Sequence, residues 1–90
     1  MRTGYAKKNM TKDVTISLEN EKQILKFVQM NSKSSCQVDV RSGHSYIDGK
    51  SIIGLLSLNL FKPLYVSVIG DYSKISDLID GYQEYHLVAG

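Results

Sequence analysis

Tryptophan is absent from the 90 residues, proline occurs once and cysteine occurs once. With Cys36 as its single thiol the chain has no internal disulfide, so core packing alone holds the fold, as is usual in a reducing compartment. No run approaches the roughly 18 apolar residues of a membrane-spanning helix. The longest candidate, Ile52 to Phe61, is broken by Gly54, Ser57 and Asn59. The opening MRTGYAKKNMTK is basic but has no apolar segment behind it, so the charge, hydrophobic stretch and small-residue order of a secretory signal is missing. A cytoplasmic location is expected. Internal repeats, low-complexity tracts and interdomain linkers are also lacking. Cys36, His44 and His86 stand at no metal-ligand spacing, and no carboxylate pair accompanies a candidate nucleophile. We therefore expect no enzyme activity, no metal and no cofactor, with His44 and His86 as ordinary surface residues.

What is present fits one small domain: 42% hydrophobic residues, six Tyr and two Phe. The net charge is +2, yet Arg2, Lys7, Lys8 and Lys12 all precede the first acid. Residues 13–90 thus hold seven bases against nine acids, a balance of −2. Residues 1–12 read as a basic, solvated leader and 13–90 as the domain, with Met10 as an alternative start. A slightly acidic domain with scattered bases lacks the electrostatic footprint of a nucleic-acid binder, so no direct nucleic-acid partner is expected.

The periodicities alternate between two classes. DVTISL has period two and predicts a strand over 13–18. ENEKQILKFVQMNSK follows, with Ile24, Phe27, Val28 and Asn31 at helical spacing, predicting a helix over 21–32. Asn20 is its cap, and Gln23 can reach back to the cap amide in a relaxed capping box. CQVDV alternates again and Ser42-Gly43 offers a turn before HSYI, predicting a hairpin over 36–47 with Cys36 as a small buried hydrophobe. Ser51 caps a short helix over 51–59, before Pro63. LYVSVIG is a strand, and Ile75, Leu78, Ile79 and Tyr82 mark a last helix begun by Ser73. The tyrosines Tyr72, Tyr82 and Tyr85 around it are expected to be half-buried, with hydroxyls in water. The order β-α-β-β-α-β-α implies an α+β two-layer sandwich, one face of an antiparallel sheet lying under helices.

The middle helix carries two apolar stripes, Ile52, Leu55 and Leu58 on one and Ile53, Leu56 and Leu60 on the next. One faces the sheet. The other is either covered by the loop from Phe61 to Leu64 or left open as a docking surface, which would also favour a homo-oligomer. Gly54 costs about 1 kcal/mol in a helix relative to Ala and so implies close approach by a neighbour. A phosphoryl group on Ser51 would place a charge of about −1.5 to −2 at a helix N-terminus, where anions are favoured.

KSIIGLLSL, Lys50 to Leu58, preceded by Asp48-Gly49 and set in this order of elements, resembles the regulatory-serine helix of HPr. HPr is the histidine-containing phosphocarrier of the bacterial sugar phosphotransferase system, and Crh is its relative. The resemblance runs without gaps from about Val14 to about Tyr85, and it implies an open-faced sandwich with a four-stranded antiparallel sheet. It places Ser51 at the serine phosphorylated by HPr kinase/phosphorylase and Ile52, Ile53 and Leu56 at the partner-docking positions. The family's phosphohistidine stretch, GxHARPA-like, is replaced here by LENEKQI. Asn20 stands at the histidine, Lys22 at the arginine and Gln23 at the proline. An amide cannot accept the phosphoryl group and Glu19 and Glu21 would repel one, so this site is degenerate. The resemblance then implies a non-catalytic, Crh-like regulator whose partners are HPr kinase/phosphorylase and a LacI-type catabolite regulator. Two alternatives remain open: an interaction or domain-swapped oligomerisation module without phosphotransfer, and a weak anion or small-ligand binder at the first-helix N-terminus using Asn20 and Lys22.

Overall fold

The structure, a computed structural model, describes residues 9–89. Residues 1–8, most of the expected leader, lie outside the described residues. Elements follow in the order β1 (Met10–Ile16), α1 (Glu21–Lys33), β2 (Gln37–Ser42), β3 (Ser45–Asp48), α2 (Ile52–Leu56), β4 (Leu64–Gly70) and α3 (Tyr72–Glu84). The strands form one sheet in the order β1-β4-β2-β3, every neighbouring pair antiparallel. This is the expected α+β sandwich.

The period-two segments alternate as expected, and their inward side chains build the core. Val38, Val40, Leu64, Val66 and Val68 are buried on one face, under Ile24 and Phe27 of α1, Leu55 of α2, and Ile75, Leu78 and Tyr82 of α3. Cys36 is fully buried among them. The outward face stays in solvent. There the Ser67 hydroxyl donates to Asp13 Oδ1 at 2.7 Å, and the Arg41 guanidinium lies 5.7 Å from the centre of the exposed Tyr65 ring.

Several boundaries differ from the sequence pattern for physical reasons. β1 begins at Met10 rather than Asp13, because Met10, Thr11 and Lys12 find partners in Gly70, Ile69 and Val68 of β4, more than fifty residues away. The strand ends at Ile16, after which the C-terminal segment takes over: Ser17 N donates to Leu87 O at 2.8 Å and Ala89 N to Thr15 O at 2.9 Å. The hairpin's loop is Gly43-His44, with Gly43 at φ +60°. α2 stops at Leu56 instead of Asn59. Its last amides turn to nearer carbonyls, Ser57 N to Gly54 O and Leu58 N to Leu55 O, the tight geometry of a closing helix. Asp71, not Ser73, is the cap of α3, through its backbone carbonyl, which accepts from Ile75 N at 2.9 Å, with no side-chain cap bond.

Tyr82 is the largest correction. Its ring is fully buried, tilted against Phe27 at a centroid separation of 5.2 Å, and its hydroxyl donates to Asn31 Oδ1 rather than to water. Asn31, equally buried on the apolar stripe of α1, uses its Nδ2 to donate to Gly49 O at 2.7 Å. A Cβ at Gly49 would come 2.5 Å from Val38 Cγ1 and 3.0 Å from that Nδ2, so only glycine lets the turn before α2 dock here. Burial, and secondarily Cys36, pushes the Tyr82 phenol well above its ordinary range. Of the other two tyrosines, Tyr72 is exposed and Tyr85 lies beneath Lys26 Nζ, 4.2 Å from the ring centre.

Tyr82→Phe should leave Asn31 Oδ1 buried without its donor and lower the unfolding free energy by about 1–3 kcal/mol in urea titrations. Because the folded state raises the phenol's pKa, its contribution is whole below the unfolded value of about 10 and is lost as pH rises above it. The wild-type protein should therefore lose more stability than the Phe variant between pH 9 and pH 11, and parallel losses would refute the assignment.

Candidate functional site

The N-terminus of α1 and the helix α2 are the two regions that carry the sequence's candidate residues. At the first, Asn20 has extended backbone (φ −153°, ψ 170°) and its Oδ1 accepts from Gln23 N at 2.9 Å. Gln23 does reach back, but one residue beyond the expected cap amide: its Oε1 accepts from Glu19 N at 2.6 Å. Both side chains are thus committed to amides of this turn. An anion arriving here would find the Gln23 amide already bonded and the exposed Glu19 and Glu21 beside it. Lys22 is exposed on the same turn.

At the second region Ser51 is the N-cap of α2, as its position before the apolar run predicts. Its Oγ accepts from Gly54 N at 3.1 Å and its carbonyl from Leu55 N at 3.0 Å. Asp48 prepares the approach, its Oδ1 accepting from Lys50 N at 2.9 Å. Gly54 sits where a Cβ would lie 2.5 Å from Ile47 Cγ2, so the close neighbour implied by this glycine is the edge strand β3.

The two apolar stripes separate in space. Leu55 is fully buried and Ile52 and Leu58 are partly buried against the core. Ile53 is 79% exposed and Leu56 60% exposed. The loop from Phe61 to Leu64 does not cover them: Leu64 turns into the core, while Phe61 stands fully in solvent. Of the three expected docking residues, Ile53 and Leu56 face outward and Ile52 divides itself between core and surface. Phe61 adds to this apolar surface, and its complete exposure could not be read from a single aromatic in a loop.

The structure also brings the two regions together. A groove of about 390 Å³ runs between them, with Glu19, Asn20 and Glu21 on one side and Leu56, Leu60 and Phe61 on the other. A larger hollow, about 510 Å³, lies by the β2–β3 hairpin. Several of its polar groups pair with one another or with backbone: Gln37 donates to Asp39, and Lys50 Nζ donates to Ser34 O at 3.3 Å. Among the described residues no group of three or more His, Cys, Asp or Glu is placed to hold a metal ion, and no helix is long and apolar enough to cross a membrane. His44, in the hairpin loop, and His86, at φ +59° after α3, are both exposed.

No protein-family model and no curated relative matches the chain. Solved structures do. The HPr-C-His protein of Thermoanaerobacter tengcongensis shares 27% identity at a TM-score of 0.59, covering 81% of this chain and 88% of its own. The chain has an HPr-like fold. A phosphocarrier protein HPr from Bacillus anthracis superimposes at a TM-score of 0.62 with 20% identity over 86% of this chain and 95% of its own. A Mycoplasma histidine-containing phosphocarrier protein superimposes at 0.66 with 12% identity over 90% of this chain and all of its own. The last two identities are low enough that the likeness is one of fold, whereas α1, α2 and the groove between them are features of this HPr-like chain's own residues.

Helix propensity favours Gly54→Ala by about 1 kcal/mol, but the clash with Ile47 Cγ2 opposes it. The substitution should destabilise the protein in chemical denaturation, and in an Ile47→Ala background the same change should cost less, leaving the contact with Ser51 Oγ at 3.1 Å. Stabilisation in both backgrounds would remove Ile47 as the reason for the glycine.

Proposed function

We propose that this HPr-like chain is a non-catalytic regulator related to the sugar phosphotransferase system, acting in the cytoplasm. It is phosphorylated at Ser51 and binds partner proteins through α2. The observation that carries the reading is the pairing of Ser51 at the cap of α2 with outward-facing Ile53 and Leu56, two and five residues further along the chain. A phosphoryl group on Ser51 changes charge beside an apolar docking surface without requiring the helix to refold.

The first helix supports the same reading by what it does not offer. In the family resemblance Asn20, Lys22 and Gln23 stand where the phosphohistidine site's histidine, arginine and proline belong. Here Asn20 and Gln23 are spent on local amides, and two carboxylates flank them. Phosphoryl transfer through a histidine has no acceptor at that place, and a weak anion site has little left to bind with. The partners that follow are HPr kinase/phosphorylase acting on Ser51 and a LacI-type catabolite regulator docking on Ile53 and Leu56, with Ile52 at the margin. A second reading, an interaction or oligomerisation module with no phosphotransfer, is favoured by one observation, the full exposure of Phe61 beside α2.

Intact-mass spectrometry separates these readings. ATP with HPr kinase/phosphorylase should add one phosphate that Ser51→Ala loses, while enzyme I with phosphoenolpyruvate should add none. No phosphate in either reaction would leave the interaction module. Phosphate from enzyme I would overturn the loss of histidine transfer, with His44 and His86 the first positions to examine.

A further inference from the structure

The groove between α1 and α2 has a composition that neither helix shows alone. Its base is made by Leu18 and Ile24, both nearly inaccessible, and by the partly buried Leu60. Phe61 and Leu56 rise along one side with most of their surface in water. On the other side are the exposed carboxylates of Glu19 and Glu21, and no Lys, Arg or His is among the residues lining it. Lys22 and Lys62 are neighbours in sequence of these walls without lining the groove.

We propose that this groove binds a basic peptide segment of a partner protein, one large apolar side chain lying between Leu60 and Phe61 while flanking Lys or Arg residues face Glu19 and Glu21. The proposal rests on the reading of α2 as a docking surface, since Leu56 belongs to both, and it adds the chemistry of what docks. The groove, about 390 Å³, lies within the range of about 300–1,000 Å³ typical of ligand sites, and room for one anchor side chain suits a short segment. Charge decides the rest. An acidic segment would bring like charges against two carboxylates, a neutral one would gain nothing from them, and a basic one is both steered and oriented. A phosphate or other anionic ligand is disfavoured by the same carboxylates, and by the bonds that already take up the Gln23 and Glu19 amides. Phe61, open to solvent in the free protein, would become the covered wall of the groove.

The test uses the full chain labelled with nitrogen-15 and two capped peptides of equal length, each with a central phenylalanine, one flanked by lysines and the other by glutamates. The lysine peptide should bind, with amide shifts concentrated at Leu18, Ile24 and Leu60, and its affinity should fall as salt is raised. The glutamate peptide should bind at least about tenfold more weakly, and the double variant Glu19→Lys, Glu21→Lys should reverse that preference. Asn20 is kept in the variant, so the cap of α1 and the fold are preserved, and the wild-type pattern of amide shifts outside the groove checks this. Equal binding of the two peptides, binding mapped away from the groove, or no binding of either overturns the proposal. Ser51 phosphorylation measured on the same samples keeps the two readings apart. Phosphate without peptide binding removes only the groove, and peptide binding without phosphate removes only the regulatory serine.

Discussion

Asn31 is the fully buried polar side chain among the described residues, and three elements meet at it. Its carbonyl oxygen takes the Tyr82 hydroxyl from α3, and its amide nitrogen gives a hydrogen bond to Gly49 in the turn that leads to Ser51. A buried amide costs free energy unless it is paired, so the two bonds must form together with the packing around them. This makes the relative placement of α1, α3 and the start of α2 one cooperative arrangement. The candidate surface on α2 inherits its position from that arrangement, because a five-residue helix cannot hold itself in place by its own hydrogen bonds.

Sheet order has a comparable consequence. β4 is the last strand in sequence but lies between β1 and β2, so the segment carrying α2 must cross from edge strand β3 back to the middle of the sheet. Ile47 of β3 meets the helix on the way, and the missing side chain at Gly54 is the room it needs. One stripe of α2 is thereby turned down onto the core. Among the described residues no further element lies over it, and the adjacent stripe stays in water at Ile53 and Leu56, joined by Phe61. Exposed apolar surface and core packing are two sides of one short helix.

The N-terminus of α1 sets local hydrogen bonds and charge against the field of its helix. Helix N-termini attract anions through unpaired amides and the helix dipole. Here Asn20 Oδ1 accepts from Gln23 N and Gln23 Oε1 from Glu19 N, and the exposed Glu19 and Glu21 stand beside them, so like-charge repulsion weakens the pull that an anion feels from this turn. Its proximity to α2 then makes one groove of two regions that are more than thirty residues apart in sequence.

Much of this was legible in the chain itself. Period-two alternation identified β1, β2 and β4 and the Ser42-Gly43 turn implied β3, helical spacing identified α1 and α3, and the caps Asn20 and Ser51 were readable because capping is a contact between residues three apart. The buried face of the alternating strands followed from their period, and the candidate residues followed from the resemblance carried by Lys50 to Leu58. Tertiary structure decided what depends on distant partners. The start of β1 waited on pairing with β4, the fate of the Tyr82 hydroxyl on the presence of Asn31, and the exposure of Phe61 on where Leu64 enters the sheet. The groove arose in the same way, from side chains that periodicity assigns to separate elements. Local hydrogen bonds and side-chain alternation are written in neighbouring residues, whereas burial of a polar group and the meeting of two surfaces are properties of contacts that only folding creates.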